Sequence, residues 1–164
     1  MTKRKSLEWR NCSEAELAER VRSLSGRLRP GLLCVLEGDL GAGKSSFARE
    51  ILRVVSPGSV SRGSPTFPLV QEYRADAGFP VYHIDLYRLK SEQEFEDSGI
   101  GEQIDSREAL VLVEWASLFP DFFQRYFSKS SKRPWLRVHI LSGSGPEARS
   151  YQIEGSGDFN FDFP

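Results

Sequence analysis

The sequence predicts an α/β fold in a single domain, a mixed β-sheet flanked by helices. Three observations point there. Two unbroken apolar runs, Leu32 to Leu36 and Ala109 to Val113, have the length and composition of strands covered on both faces. Apolar residues recur at helical spacing in two stretches, Leu17, Val21, Leu24 and Leu28, then Phe47, Ile51, Leu52 and Val55. The first apolar run leads directly into a glycine-rich turn, and the turn leads directly into the second helical stretch.

Each element has its own local signal. Ser13 and Glu16 form a capping box that starts the first helix, and Pro30-Gly31 ends it. Pro57-Gly58 ends the second helix, and residues 59–66, rich in Ser, Gly and Pro, read as a loop. Phe67 to Tyr73 and Val81 to Tyr87 read as strands around a turn at Asp76-Ala77-Gly78. Residues 91–98 are weakly helical, and Leu118 to Phe127 is an aromatic stretch read as a helix. Trp135 to Leu141 and Tyr151 to Ile153 read as late strands. Residues 1–155 are expected to form the domain and residues 156–164 a C-terminal tail.

The composition is ordinary for a globular domain, 39% hydrophobic and 27% charged with a net charge of -1. That balance argues against a protein that coats nucleic acid by charge, and Lys3, Arg4 and Lys5 read as a solvated, frayed terminus. Cys12 and Cys34 lack metal-ligand spacing, and Cys34 lies inside an apolar run, where it reads as a small buried hydrophobe. The basic start is not followed by an apolar signal region, and no apolar stretch approaches the ~18 residues of a membrane span. A cytoplasmic protein with reduced thiols and no membrane association is expected.

The chemistry concentrates in Gly38-Asp39-Leu40-Gly41-Ala42-Gly43-Lys44-Ser45, which has the form G-x-x-x-x-G-K-[ST] of a P-loop. Glycines let backbone N–H groups turn inward around phosphate oxygens, and the helix beginning at Lys44 adds its positive end. Lys44 is expected to reach the β- and γ-phosphates and the Ser45 hydroxyl to bind magnesium. Magnesium also calls for a carboxylate at the end of a neighbouring strand. Glu114, which ends the run Ala109 to Val113, is one candidate, against the alternative of a solvated acid at a strand end. Asp85 is the other, to hold the metal through water or to orient an attacking water; its alternative is a structural ion pair with Arg88. Alternation puts His83, Asp85 and Tyr87 on one face of that strand. Thr66, in Ser64-Pro65-Thr66-Phe67, stands where P-loop switches offer a hydroxyl to magnesium, or is a surface threonine in a proline turn. Trp115 is expected to pack in the core or at the lip of the crevice, and His83 stays open.

Together the P-loop, Ser64-Pro65-Thr66-Phe67, His83-Ile84-Asp85-Leu86-Tyr87-Arg88 and Val113-Glu114-Trp115 resemble the TsaE family, the bacterial P-loop ATPases of tRNA threonylcarbamoyladenosine biosynthesis. Glu147-Ala148-Arg149 is a weaker match. The resemblance implies a P-loop NTPase-like sheet and magnesium-dependent ATP hydrolysis. It also implies action with the TsaB and TsaD proteins, and contact with tRNA only through that complex. Lys44, Asp85, Glu114 and Thr66 would then be catalytic, with Ser45, Glu114, Thr66 and Asp85 around the metal. The nucleotide would be held by Ser13, by residues 38–46 including Ser46, by Trp115 and by Arg149. Two departures stand out: Lys44-Ser45-Ser46 replaces the common Lys-Thr-Thr, and Ala116-Ser117 lacks the acid common two positions after the tryptophan. The rival class is a small-molecule P-loop kinase, which would need an acceptor pocket and a lid. The resemblance implies an enzyme that is slow alone and activated by partners.

Overall fold

The buried runs do form adjacent strands, and the sheet is built outward from them. The computed structural model describes residues 5–59, 69–128 and 130–156. Its strands are β1 (Lys5–Cys12), β2 (Leu33–Glu37), β3 (Val70–Arg74), β4 (Pro80–Asp85), β5 (Leu110–Glu114), β6 (Trp135–Ser142) and β7 (Arg149–Gly155). They make one seven-stranded sheet in the order β1-β7-β6-β2-β5-β4-β3. The four central strands are parallel, β6 with β2, β2 with β5 and β5 with β4. Antiparallel strands close both edges, β3 on β4 and β7 then β1 on β6. Every residue of β2 and of β5 is buried, as expected for central parallel strands covered on both faces.

Helices α1 (Glu14–Ser23) and α2 (Lys44–Val55) cover one face. Leu17, Val21, Phe47, Ile51 and Leu52 meet Cys34, Leu36, Leu112 and Val138 there. Helices α3 (Glu92–Asp97), α4 (Ile100–Asp105) and α5 (Pro120–Phe123) lie on the opposite face. Phe95, Ile100, Ile104, Phe119 and Phe123 pack there on Val35, Ile84, Val111 and Val113.

Several sequence expectations need correction. The first helix stops at Ser23; a 3-10 turn over Ser25–Arg27 then carries Leu24 and Leu28 into the core. Lys5 does not belong to a frayed terminus but opens β1, an edge strand whose Trp9 is 1% exposed between Phe47 and Tyr151. Leu7 and Trp9 alternate inward, but a register shift before the buried Cys12 breaks the period-2 pattern. The stretch from Leu118 to Phe127 is not one helix: a 3-10 turn over Ala116–Leu118 is followed by α5, with Pro120 at its first position. Helix α4 has no counterpart in the sequence expectations. Residues 143–148 join β6 to β7. Among the described residues no helix is long and apolar enough to cross a membrane.

The end of the sheet where the parallel strands begin is locked by Arg133, whose side chain is 1% exposed. Its guanidinium donates to the carbonyls of Gly31 at 3.0 Å, of Ser106 at 3.0 Å and of Ile104. Three connections that precede β2, β5 and β6 are thereby tied to one fork. Burial pushes the Arg133 pKa down to about 10, which still leaves it charged at neutral pH. Arg133→Lys is expected to lower stability by about 2–3 kcal/mol, because an ammonium cannot reach all three acceptors and a buried carbonyl left unpaired is costly. Urea unfolding measures this.

Candidate phosphate and metal site

The site lies where β2, β5 and β4 end together. Parallel pairing places Leu36 beside Glu114 and Asp85 beside Glu114. The chain leaves β2 through Gly38, with φ +150, a conformation that suits glycine. A Cβ on Gly38 would come within 2.7 Å of the Ile140 carbonyl oxygen. Gly43, at φ 110, is the residue before α2. The loop is therefore pressed against β6 and turned into the helix by residues without side chains. The first N–H groups of α2, those of Lys44, Ser45 and Ser46 among them, have no intrahelical acceptor and carry the positive end of the helix dipole.

Lys44 folds back over its own loop. Its Nζ donates to the carbonyls of Gly38 at 2.7 Å and Asp39 at 2.8 Å, and lies 3.9 Å from the centre of the Trp115 ring. Burial pulls the Lys44 pKa below the usual lysine value, opposed by Glu114, Asp85 and Asp39. Trp115 reaches this position because its backbone is left-handed, φ 66. The turn brings the ring back over the crevice against Tyr87, with centroids 4.8 Å apart. The sequence placed Trp115 in the core or at the lip; it is half-buried at the lip.

Glu114 is 3% exposed, and both of its oxygens are engaged. Oε2 accepts from the Ser45 hydroxyl at 3.1 Å, and Oε1 is 2.7 Å from His83 Nε2. Asp85 is half-buried on the adjacent strand end, and its Oδ1 accepts from the Tyr87 N–H at 3.0 Å. Arg149, at the start of β7, donates through Nε to the Ala42 carbonyl at 3.0 Å, and through Nη1 to Pro146 and Ala148. A cavity of about 120 Å³ lies between residues 39–42 and residues 139–142 of β6.

The fold thus brings together Lys44, Ser45, Asp85, Glu114 and Trp115, with Arg149 on the loop itself. Ser13 completes the capping box of α1, its hydroxyl donating to Glu16 and accepting from the Glu16 N–H. Thr66 lies outside the described residues. Two partners went unread in the sequence. They are His83, which meets Glu114, and Arg137, which grips Glu37 just ahead of the loop through Nε and Nη2 at 3.0 and 3.1 Å. Arg137 and Glu37 are joined only by the pairing of β2 with β6, and no local pattern signals that contact.

Ser45 Oγ and Glu114 Oε2 form a hard-oxygen donor pair beside a helix start, which fits magnesium. Two protein oxygens suffice for that ion, because it keeps waters and takes phosphate oxygens. Among the described residues no group of three or more His, Cys, Asp or Glu could hold a metal unaided.

Comparison with known proteins identifies the family. The family described as "Threonylcarbamoyl adenosine biosynthesis protein TsaE" matches residues 12–142. The tRNA threonylcarbamoyladenosine biosynthesis protein TsaE of Rickettsia conorii is 42% identical over 106 residues, 65% of this chain and 59% of that protein. Its counterpart in Bacillus subtilis is 37% identical over 123 residues, 71% of each chain. The crystal structure of Bacillus subtilis YdiB superimposes with a TM-score of 0.66 at 25% identity, covering 96% of this chain and 90% of that one. The family match runs from the cap of α1 through the P-loop, β4 and Glu114 to the end of β6, and the chain belongs to the TsaE family.

Proposed function

We propose that the chain is a magnesium-dependent ATP hydrolase that serves threonylcarbamoyladenosine modification of tRNA. It would act in the cytoplasm with the TsaB and TsaD proteins and meet tRNA through that complex. Its main support is the convergence of Lys44, Ser45 and Glu114 at the start of α2. Two of the three Lys44 donors are held by loop carbonyls, which fixes the ammonium and leaves a donor for phosphate oxygens. The N–H groups at the start of α2 bind the same phosphates. Magnesium, when bound, neutralises charge on the β- and γ-phosphates; Ser45 and Glu114 would hold it, with Asp85 behind them through water or orienting the attacking water. Thr66 would add a hydroxyl when the γ-phosphate is present. Arg149, which donates to the Ala42 carbonyl, would brace the loop and stand beside the nucleotide it holds.

Partner dependence follows from chemistry not evident in these residues. They supply binding and a metal site, while a transition-state arginine, worth about 10³ to 10⁵ in rate in P-loop enzymes, would come from a partner. Phosphate release with magnesium and ATP, and no added acceptor, is expected to be slow for the chain alone and to rise at least several-fold with TsaB and TsaD. Lys44→Ala should cancel that rise and weaken ATP binding about ten-fold to several-hundred-fold, the equivalent of one or two charged hydrogen bonds. Fast release by the pure chain, or no association with the pair in any nucleotide state, would defeat the proposal; release that needs a small-molecule acceptor would point to a kinase.

Glu114→Gln is expected to raise the magnesium concentration needed for turnover while leaving the melting temperature nearly unchanged, since the amide keeps the shape and loses the charge. Turnover against magnesium concentration measures it. An unshifted curve would transfer the metal role to Asp85.

Trp115 emission should change when ATP binds, because phosphate competes for the ammonium that now lies against the ring. Trp9 and Trp135 are replaced by Phe to isolate the signal. Trp9 tolerates this on polar grounds, its buried indole Nε1 having no hydrogen-bond partner. A flat titration at saturating nucleotide would show that the ring does not sense the phosphate.

A further inference from the structure

Two buried glutamates end neighbouring strands of the sheet and are held in opposite ways. Glu37, at the end of β2, is gripped by the Arg137 fork on both oxygens. The guanidinium charge of that fork offsets the charge of the acid. Glu114, at the end of β5, meets a donor with a single N–H: His83 Nε2 engages Oε1 at 2.7 Å, and Oε2 is left with the neutral Ser45 hydroxyl at 3.1 Å. His83 is placed for this by β4. It lies two residues before Asp85 on the same face, and parallel pairing sets it beside Leu112, one face-repeat before Glu114. Its side chain is 15% exposed and that of Glu114 3%, so water has little access to compete for the contact.

We propose that His83 is a positioning residue for the metal site and acts through Glu114. By holding Oε1, it fixes the carboxylate rotamer that presents Oε2 beside Ser45, so that a divalent cation meets two oriented oxygens. A strong fork in its place would neutralise the acid, as Arg137 does for Glu37. No donor in its place would leave a buried carboxylate free to rotate away from Ser45 and obliged to find another partner. Groups that orient metal ligands in this manner commonly account for about ten- to hundred-fold in metal affinity. The proposal rests on the phosphate and metal reading above.

The test is magnesium binding without turnover. Magnesium is titrated into the full chain saturated with a non-hydrolysable ATP analogue and followed by calorimetry, for the wild type, His83→Ala, His83→Gln, Glu114→Gln and the His83→Ala/Glu114→Gln double variant. His83→Ala should raise the half-saturating magnesium concentration about ten-fold or more, with nucleotide affinity in the absence of magnesium unchanged. His83→Gln, whose amide nitrogen can stand near the place of Nε2, should recover most of the loss. In the Glu114→Gln background His83→Ala should add nothing, because the route through the acid is already gone. Normal magnesium affinity in His83→Ala alongside a lowered melting temperature would overturn the proposal, leaving the histidine only to satisfy a buried acid. So would a full additive loss in the double variant. If His83→Ala does not fold, His83→Asn, whose amide stops short of Glu114, takes its place in the cycle. A wild type that binds the analogue but takes up no magnesium, or binds neither, would overturn the underlying metal reading, an outcome separate from any difference among the variants.

Discussion

A carboxylate nearly removed from water has to be hydrogen-bonded, and Glu114 organises the functional end of this sheet through that requirement. Leaving it unpaired would cost several kcal/mol. β5 carries it inward because the strand is covered on both faces. Its two oxygens are met by Ser45 from the start of α2 and by His83 from β4. Three segments far apart in the chain are thereby brought to one point, and they meet only if β2, β5 and β4 run parallel in the observed register. The burial that makes the acid demanding also lowers the effective dielectric around it, which strengthens its attraction for a cation.

The two ends of the parallel strands contrast in how their charges are committed. Where the strands begin, Arg133 donates to three backbone carbonyls and joins the connections. Where they finish, the bonds are of an exchangeable kind. Lys44 holds carbonyls of its own loop and lies against an aromatic ring; Ser45 donates to an acid that could share a metal with it. On the proposed reading, the remaining Lys44 donor turns to phosphate oxygens, while the Arg133 fork joins the connections ahead of β2, β5 and β6. Trp115, in the left-handed region at φ 66, adds a strained residue at that same end, and strain of about 1–3 kcal/mol is commonly stored at functional sites.

Among the described residues, the covering of the sheet leaves the site open at the carboxyl ends of the parallel strands. α1 and α2 shield one face and α3, α4 and α5 the other, while antiparallel strands close both edges. Crevices in open parallel sheets lie beyond the carboxyl ends of the strands, and here both candidate carboxylates and the P-loop stand at that end. Leu40, at the tip of the loop, is 74% exposed, and Tyr87, stacked on Trp115, is 52% exposed. The approach to the crevice is therefore partly apolar although its floor is charged.

The sequence by itself determined the local and the periodic. The unbroken runs announced β2 and β5, the capping box announced the start of α1, and the P-loop spacing announced Lys44 and Ser45, because in each case the physical cause acts over a few neighbouring residues. The acid at the end of β5 was legible for the same reason, as was the shared face of His83 and Asp85. Edge strand β1 was not, since the alternation of Leu7 and Trp9 breaks at a register shift before buried Cys12, and Trp9 is buried by residues more than thirty positions away, Phe47 and Tyr151. Only the tertiary structure decided the partners of the buried charges: Glu37 with Arg137, Arg133 with three carbonyls, Glu114 with His83. Those pairings leave no local signature and depend on strand order and register, which the whole core sets at once. It also decided the direction of Trp115, where strict alternation fails because the chain leaves β5 through a left-handed residue and turns the ring back onto Lys44.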